Sequence, residues 1–176
     1  RQGDVDSGRL LLEKGASLNV KNAKSGRPAK PTVAFSENTK GLQWFTRRAP
    51  EAMDALSVAI HSGREQFAIF LVEQGANPNA VDNRGMTALH YALQQGISDL
   101  NGATHDPQYA ALDFLFRPNM AELVKVLLDH GANPNVRISK RVSSLTESLH
   151  PKIGLIGATP FLLAAATGDV KIMKLL

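Results

Sequence analysis

His61, His90, His105, His130 and His150 are the residues of this chain best suited to move a proton or hold a metal near neutral pH. No two lie within one helical turn of each other, and there is no His-Glu-x-x-His run, so no single helix can offer a pair of ligands to one ion. The chain has no cysteine, which removes thiolate metal sites, disulfides and a Cys nucleophile. Gly-x-x-x-x-Gly-Lys-Ser/Thr, Gly-x-Gly-x-x-Gly and Gly-x-Ser-x-Gly are all missing, so neither a phosphate cradle nor a nucleophile elbow is encoded. Asp54 and Asp82 read as a helix cap and a turn residue. No catalytic residue, metal or cofactor is expected, and the chain reads as non-enzymatic. What remains is non-covalent chemistry: Trp44 and Phe45 stand beside Arg47 and Arg48, with Arg27 and Lys30 upstream. Such a patch can stack on a planar or anionic partner, each cation–π contact adding about 0.5 to 2 kcal/mol. The competing reading is that Trp44 and Phe45 anchor a loop to the body of the fold, and that the charges serve solubility.

The elements that would position these groups follow from composition and repetition. The 176 residues are 43% apolar and 20% charged, in the range of folded soluble domains. No apolar run approaches the roughly 18 to 20 residues of a membrane helix, and no targeting pattern follows Arg1. Residues 3–20, 63–80 and 119–136 align without a gap, and "GDVKIMKLL" (168–176) starts a fourth copy. A second block recurs as "DALSVAIHSG" (54–63), "TALHYALQQG" (87–96) and "TPFLLAAATG" (159–168). Asp54, Thr87 and Thr159 can cap a short first helix, and Pro160 suits its first position. Gly63, Gly96 and Gly168 are expected to close that helix in a tight left-handed turn. A second helix then carries apolar positions such as Leu123, Val124, Leu127 and Leu128 on one face. Gly15, Gly75 and Gly131 follow it as C-terminal caps, and Asn-Pro-Asn turns the chain outward.

"GMTALHYA" and "LLDHGANPN" make this pattern resemble the ankyrin repeat, a unit of β-turn plus two antiparallel helices. In the matching segments, "GATPFLLAA" has Leu162 where that family has His, and "DALSVA" has Asp54 and Ser57 in place of Thr and His. The resemblance implies an all-α ankyrin-repeat solenoid of stacked helix-turn-helix units with β-turn or hairpin fingers, two long finger insertions and one insertion between helices. The expected organisation is one solenoid over 1–176, open at both ends. It divides into a partial repeat (1–26), an insertion (27–50), a repeat (51–81), a repeat (82–136) carrying the insertion 97–118, an insertion (137–157) and a partial repeat (158–176). A further likeness to long bacterial ankyrin-repeat proteins with loop insertions inclines the expected compartment towards the periplasm or exterior, and the open ends suggest part of a longer chain or assembly.

Charge is divided among these parts. Residues 20–50 hold seven Lys or Arg against Glu37, and residues 136–157 hold four against Glu147. The whole chain is +4, so with +9 in these two segments the remainder is −5. Residues 97–118 are net −2 and contain "YAALDFLF", expected to pack its aromatic side on the edge of the solenoid. Repeat stacks bind through extended surfaces. The expected function is therefore protein–protein interaction, with a partner bearing an acidic patch and no membrane span in this segment. The contacts are assigned to the first-helix residues Leu56, Ser57, His90, Tyr91 and Leu162, and to Arg27, Lys30, Trp44, Phe45, Arg47, Arg48, Arg137, Lys140 and Arg141 in the fingers. Two alternatives stand beside it: binding of nucleic acid or another polyanion through 27–50, disfavoured by the acidic body, and a substrate-positioning segment of a larger enzyme.

Overall fold

Asp54, Thr87 and Thr159 each stand immediately before a short helix, as their spacing predicts. In the computed structural model, residues 2–21, 52–93, 95–97, 118–140 and 155–176 are described. Among them the bounded helices are α1 (Gln2–Glu13), α2 (Ala55–His61), α3 (Glu65–Glu73), α4 (Ala88–Ala92), α5 (Ala121–Asp129), α6 (Pro160–Ala166) and α7 (Val170–Met173). Asp54 accepts a hydrogen bond from the Ser57 amide at 2.8 Å, Thr159 from that of Leu162 at 3.3 Å, and Asp169 from that of Ile172 at 3.1 Å. Each bond satisfies one of the amides that a helix start leaves without an intrahelical partner.

The hairpins α2–α3, α4–α5 and α6–α7 stack in sequence, giving two rows: α2, α4 and α6 side by side, and α1, α3, α5 and α7 side by side. Apolar residues from both rows meet between them, where Leu56, Ile60, Leu89, Leu93, Leu123, Leu127, Leu163 and Ile172 are fully buried. Burying one such side chain contributes about 1.5 to 3 kcal/mol, so a helix of five to nine residues that would not persist alone in water is held by its neighbours. Among the described residues the fingers between hairpins are turns without strand, and no helix is long and apolar enough to cross a membrane.

Gly63 and Gly168 adopt positive φ (72° and 65°) after the first helix, as expected. Gly96 does not. It lies buried in the helical stretch 95–97, where a Cβ would run into the Leu163 carbonyl of the next repeat. The expectation of a left-handed turn at Gly96 is therefore corrected: glycine is needed there because two backbones meet.

The interruptions of the repeat leave its closing bonds in place. Where the hairpin is unbroken, the Arg64 amide donates to the Ala59 carbonyl at 2.9 Å and the Asp169 amide to Ala164 at 3.1 Å. At the equivalent positions flanking 98–117, the Met120 amide donates to Ala92 at 2.9 Å. In the uninterrupted finger the Asp82 amide donates to Met86 and the Gly85 amide to Asp82; in the interrupted one the Ile138 amide donates to Ala158 and the Gly157 amide to Ile138. Residues 22–51, 98–117 and 141–154 lie outside the described residues, and with them the expected packing of "YAALDFLF" and most of the finger charge.

Candidate interaction surface

The first-helix row is where contacts were expected, and it is mostly interior. Leu56 and His90 are fully buried, and Ser57 and Tyr91 are each only 3% exposed, so these four assignments as accessible contact residues are corrected. The physical reason is the two-sided stacking of this row: each of these short helices has repeat neighbours and a finger against it, leaving little of its circumference free. Leu162 is exposed at 41%, alongside Phe161 at 48%. Their equivalents in the preceding repeats, Leu89 and His90, are buried beneath α6 and its finger.

His90 illustrates what the interior positions do instead. The Thr87 amide donates to His90 Nδ1 at 3.1 Å, and the Thr87 hydroxyl lies 2.9 Å from the same nitrogen. Nδ1 must then accept, so the proton sits on Nε2, which donates to the Ala158 carbonyl of the following finger at 3.3 Å. Burial pushes the imidazole down from its ordinary value to about 4, outweighing the carbonyls of Ala158 and Val136 and the charge of Asp82, which pull the other way. A neutral histidine thus joins its own helix to the next repeat. Ser57 and Leu162 cannot supply that bridge. Tyr91 donates to Asp82 Oδ2 at 2.7 Å, while Asp82 Oδ1 accepts from the amides of Arg84 and Met86. Burial and the Asp82 charge both raise the Tyr91 hydroxyl well above its usual range. The ring of Tyr91 also meets His61 edge-on, with centroids 5.8 Å apart. His130 Nδ1 donates to the Val126 carbonyl at 2.8 Å, near the end of its helix. Among the described residues no three His, Asp or Glu side chains gather as a metal set.

The accessible polar chemistry lies along the fingers. Within one finger, Asn77 Oδ1 accepts from the Asn79 amide, and Asn133 Oδ1 accepts from that of Asn135, both at 2.9 Å. Asn79 then reaches across: its Nδ2 donates to the Gly131 carbonyl at 2.8 Å, and its Oδ1 accepts from the Asn133 amide at 2.7 Å. The Asn-Pro-Asn motif therefore divides its labour, the first Asn shaping its own turn and the second fastening the following finger. Lys21 Nζ donates to the Val81 carbonyl at 2.8 Å. The Arg84 carbonyl accepts from the Ser139 amide, the Ser139 hydroxyl and the Lys140 amide. Gly85, at φ 81°, combines a left-handed turn with close approach to Ser139. Arg137 and Lys140 are exposed, with Arg137 donating to the Gly157 carbonyl at 3.4 Å. The other assigned cations and aromatics, Arg27, Lys30, Trp44, Phe45, Arg47, Arg48 and Arg141, fall outside the described residues.

Charge separates accordingly. The described finger segments 15–21, 76–86, 132–140 and 155–158 contain Lys21, Arg84, Arg137 and Lys140 against Asp82, a net +3, whereas the four helices of the second row sum to −4. Lys21 was counted in the basic segment 20–50 without being assigned as a contact, and Arg84 lies outside both basic segments. The recurrence of Asn19, Asn79 and Asn135 was the available signal for the inter-finger bond, since a turn alone requires only the first Asn of each motif.

A repeated hairpin of this geometry, with a capped first helix, a left-handed glycine between helices and an outward finger, has known counterparts. Residues 56–102 match the family model described as ankyrin repeats (many copies). Those matched residues are ankyrin repeats. The chain is 28% identical over 139 residues to a putative ankyrin repeat-containing protein of Treponema pallidum (strain Nichols), a match covering 75% of this chain and 39% of that one. It is 33% identical over 88 residues to a putative ankyrin repeat protein of Acanthamoeba polyphaga mimivirus, covering 49% of this chain and 16% of that one. Among solved structures, the ankyrin repeat domain of Bcl-3 aligns with 97% of this chain and 47% of its own, at TM-score 0.50 and 19% identity, which establishes likeness of fold. The chain therefore spans well under half the length of the two curated relatives. Ankyrin repeats are generally protein–protein interaction modules and are typically non-catalytic.

Proposed function

We propose that this ankyrin-repeat chain is a non-catalytic interaction module whose finger edge engages an acidic region of a partner protein. The observation that carries the reading is the separation of charge, with the fingers net positive and the second-helix row net negative on the same narrow stack. An acidic partner is drawn to the fingers and repelled from the second-helix row, which selects orientation and speeds encounter more than it adds affinity. Arg137 and Lys140 are exposed members of that edge, and Arg27, Lys30, Trp44, Phe45, Arg47, Arg48 and Arg141 extend it in sequence. The test is a pull-down from native extract with the unaltered chain and with Arg47, Arg48, Lys140 and Arg141 changed to Glu. Loss of the captured protein in the variant supports the reading; unchanged capture overturns it. A generic single-stranded oligonucleotide, titrated at low salt, serves as the counter-test: tight binding that collapses steeply with added salt would point to a polyanion reader instead.

A further inference from the structure

Because the first-helix block recurs, one site can be followed from hairpin to hairpin. Leu56, Ser57 and Ile60 align with Leu89, His90 and Leu93 in the next hairpin, and with Phe161, Leu162 and Ala165 on α6. The first six are buried, whereas the last three are exposed. His90 fixes the direction in which this site looks, since its Nε2 donates to the Ala158 carbonyl of the following finger. Leu162 stands at the same place and so faces the side on which a following unit would lie.

The composition of α6 is that of an interior element. The terminal unit of a repeat stack keeps a polar outer side in order to stay in water. The α6 sequence "PFLLAAA" contains no polar side chain, and Phe161, Leu162, Ala165 and Ala166 are all exposed. Leu162, Ala165 and Ala166 are three and four residues apart, which puts them on one side of the helix, with Phe161 next to them. Such a continuous apolar surface marks a contact site, unlike exposed apolar residues scattered singly. We propose that it is an interface for one further ankyrin-type hairpin, whose first helix lies along α6 as α6 lies along α4. The occupant differs from the inner hairpins in one respect. A finger carbonyl set against Leu162 would be buried without the donor that His90 supplies to Ala158, which is unfavourable. The incoming finger therefore keeps that carbonyl bonded within itself and presents an aliphatic side chain to Leu162. No charged residue takes part, so the proposal stands apart from the acidic-partner reading.

The test appends to Leu176 a segment that completes the second helix and adds one uninterrupted finger and hairpin of about 33 residues. Two forms are compared, one with Leu and Ala at the positions facing Phe161, Leu162 and Ala165, the other with Lys there. Urea unfolding followed by circular dichroism is expected to give the apolar form the higher midpoint and the steeper denaturant slope. Phe161→Gln, at an exposed position, should shift the midpoint of the 176-residue chain little, yet remove the advantage of the apolar form. Equal midpoints for the two forms overturn the proposal, as does a Phe161→Gln shift that is the same with and without the extension. Sedimentation of the unaltered 176-residue chain tests the rival occupant. A monomer at all concentrations supports the proposal; a reversible dimer abolished by Phe161→Gln shows that a second copy covers the face and overturns it.

Discussion

At the scale of single residues, His90 couples stability to acidity. Its folded value, about 4, lies below the 6.5 of an exposed imidazole, so between these values the unfolded chain binds the extra proton. The stabilisation it confers is fully present above pH 6.5, declines as pH falls, and is gone below about pH 4. Urea midpoints measured from pH 7 to 4.5 should therefore drop, and His90→Gln should remove that part of the dependence while lowering stability at pH 7 by about 2 to 3 kcal/mol. An unchanged pH slope in the variant would refute the assignment. Ala52 offers a prediction of opposite sign. It holds φ 63° where the equivalent residues of the other fingers are Gly85 and Gly157, at 81° and 85°. A Cβ is disfavoured there, so Ala52→Gly should raise stability by about 0.5 to 1 kcal/mol, read from the urea midpoint; a loss would show that the gain in chain entropy of the unfolded state dominates. Neither effect was legible from residue type alone. His90 was assigned as a contact from sequence, whereas its buried, neutral state depends on a carbonyl 68 residues away.

At the scale of elements, the caps, the second-helix glycines and the apolar periodicity made each hairpin readable in advance. Accessibility was not readable to the same degree. Leu56, Ser57, His90 and Tyr91 sit on helices of five or seven residues, too short for periodicity to distinguish a free face from one pressed against the next repeat. Gly96 shows the same limit, because a glycine required for approach to Leu163 has the same letter as one required for a turn. The inter-helix interruption yields a third prediction. With Met120 already bonded to Ala92 at its base, replacing 98–117 by a turn of about three residues should leave the denaturant slope unchanged and shift stability by less than about 1 kcal/mol. Loss of a cooperative transition would show that the removed segment is part of the core. Asn79→Ala, by contrast, should cost about 1 to 2 kcal/mol by freeing the Gly131 carbonyl and the Asn133 amide, and should do so at the junction it spans, where hydrogen exchange can locate it.

For the whole molecule, a stack that contacts only nearest neighbours has no single interior to defend, and its two long edges are free to differ in charge. The net +3 of the described fingers against −4 for the second row predicts that association with an acidic protein weakens as salt rises from about 0.05 to 0.5 M, chiefly through a slower on-rate. Stopped-flow traces showing salt-independent association would contradict this. The division was foreshadowed by residue counts, but assigning it to fingers and second-row helices required the fold. The preserved bonds at Ala92–Met120 and Ile138–Ala158 carry a further consequence for descent. Length can change at those two points without disturbing the pairing of the helices on either side, so lineages are free to gain, lose or exchange whole segments there while the scaffold drifts slowly. Kin of this protein should differ more in what hangs from those points than in the helices that bear them.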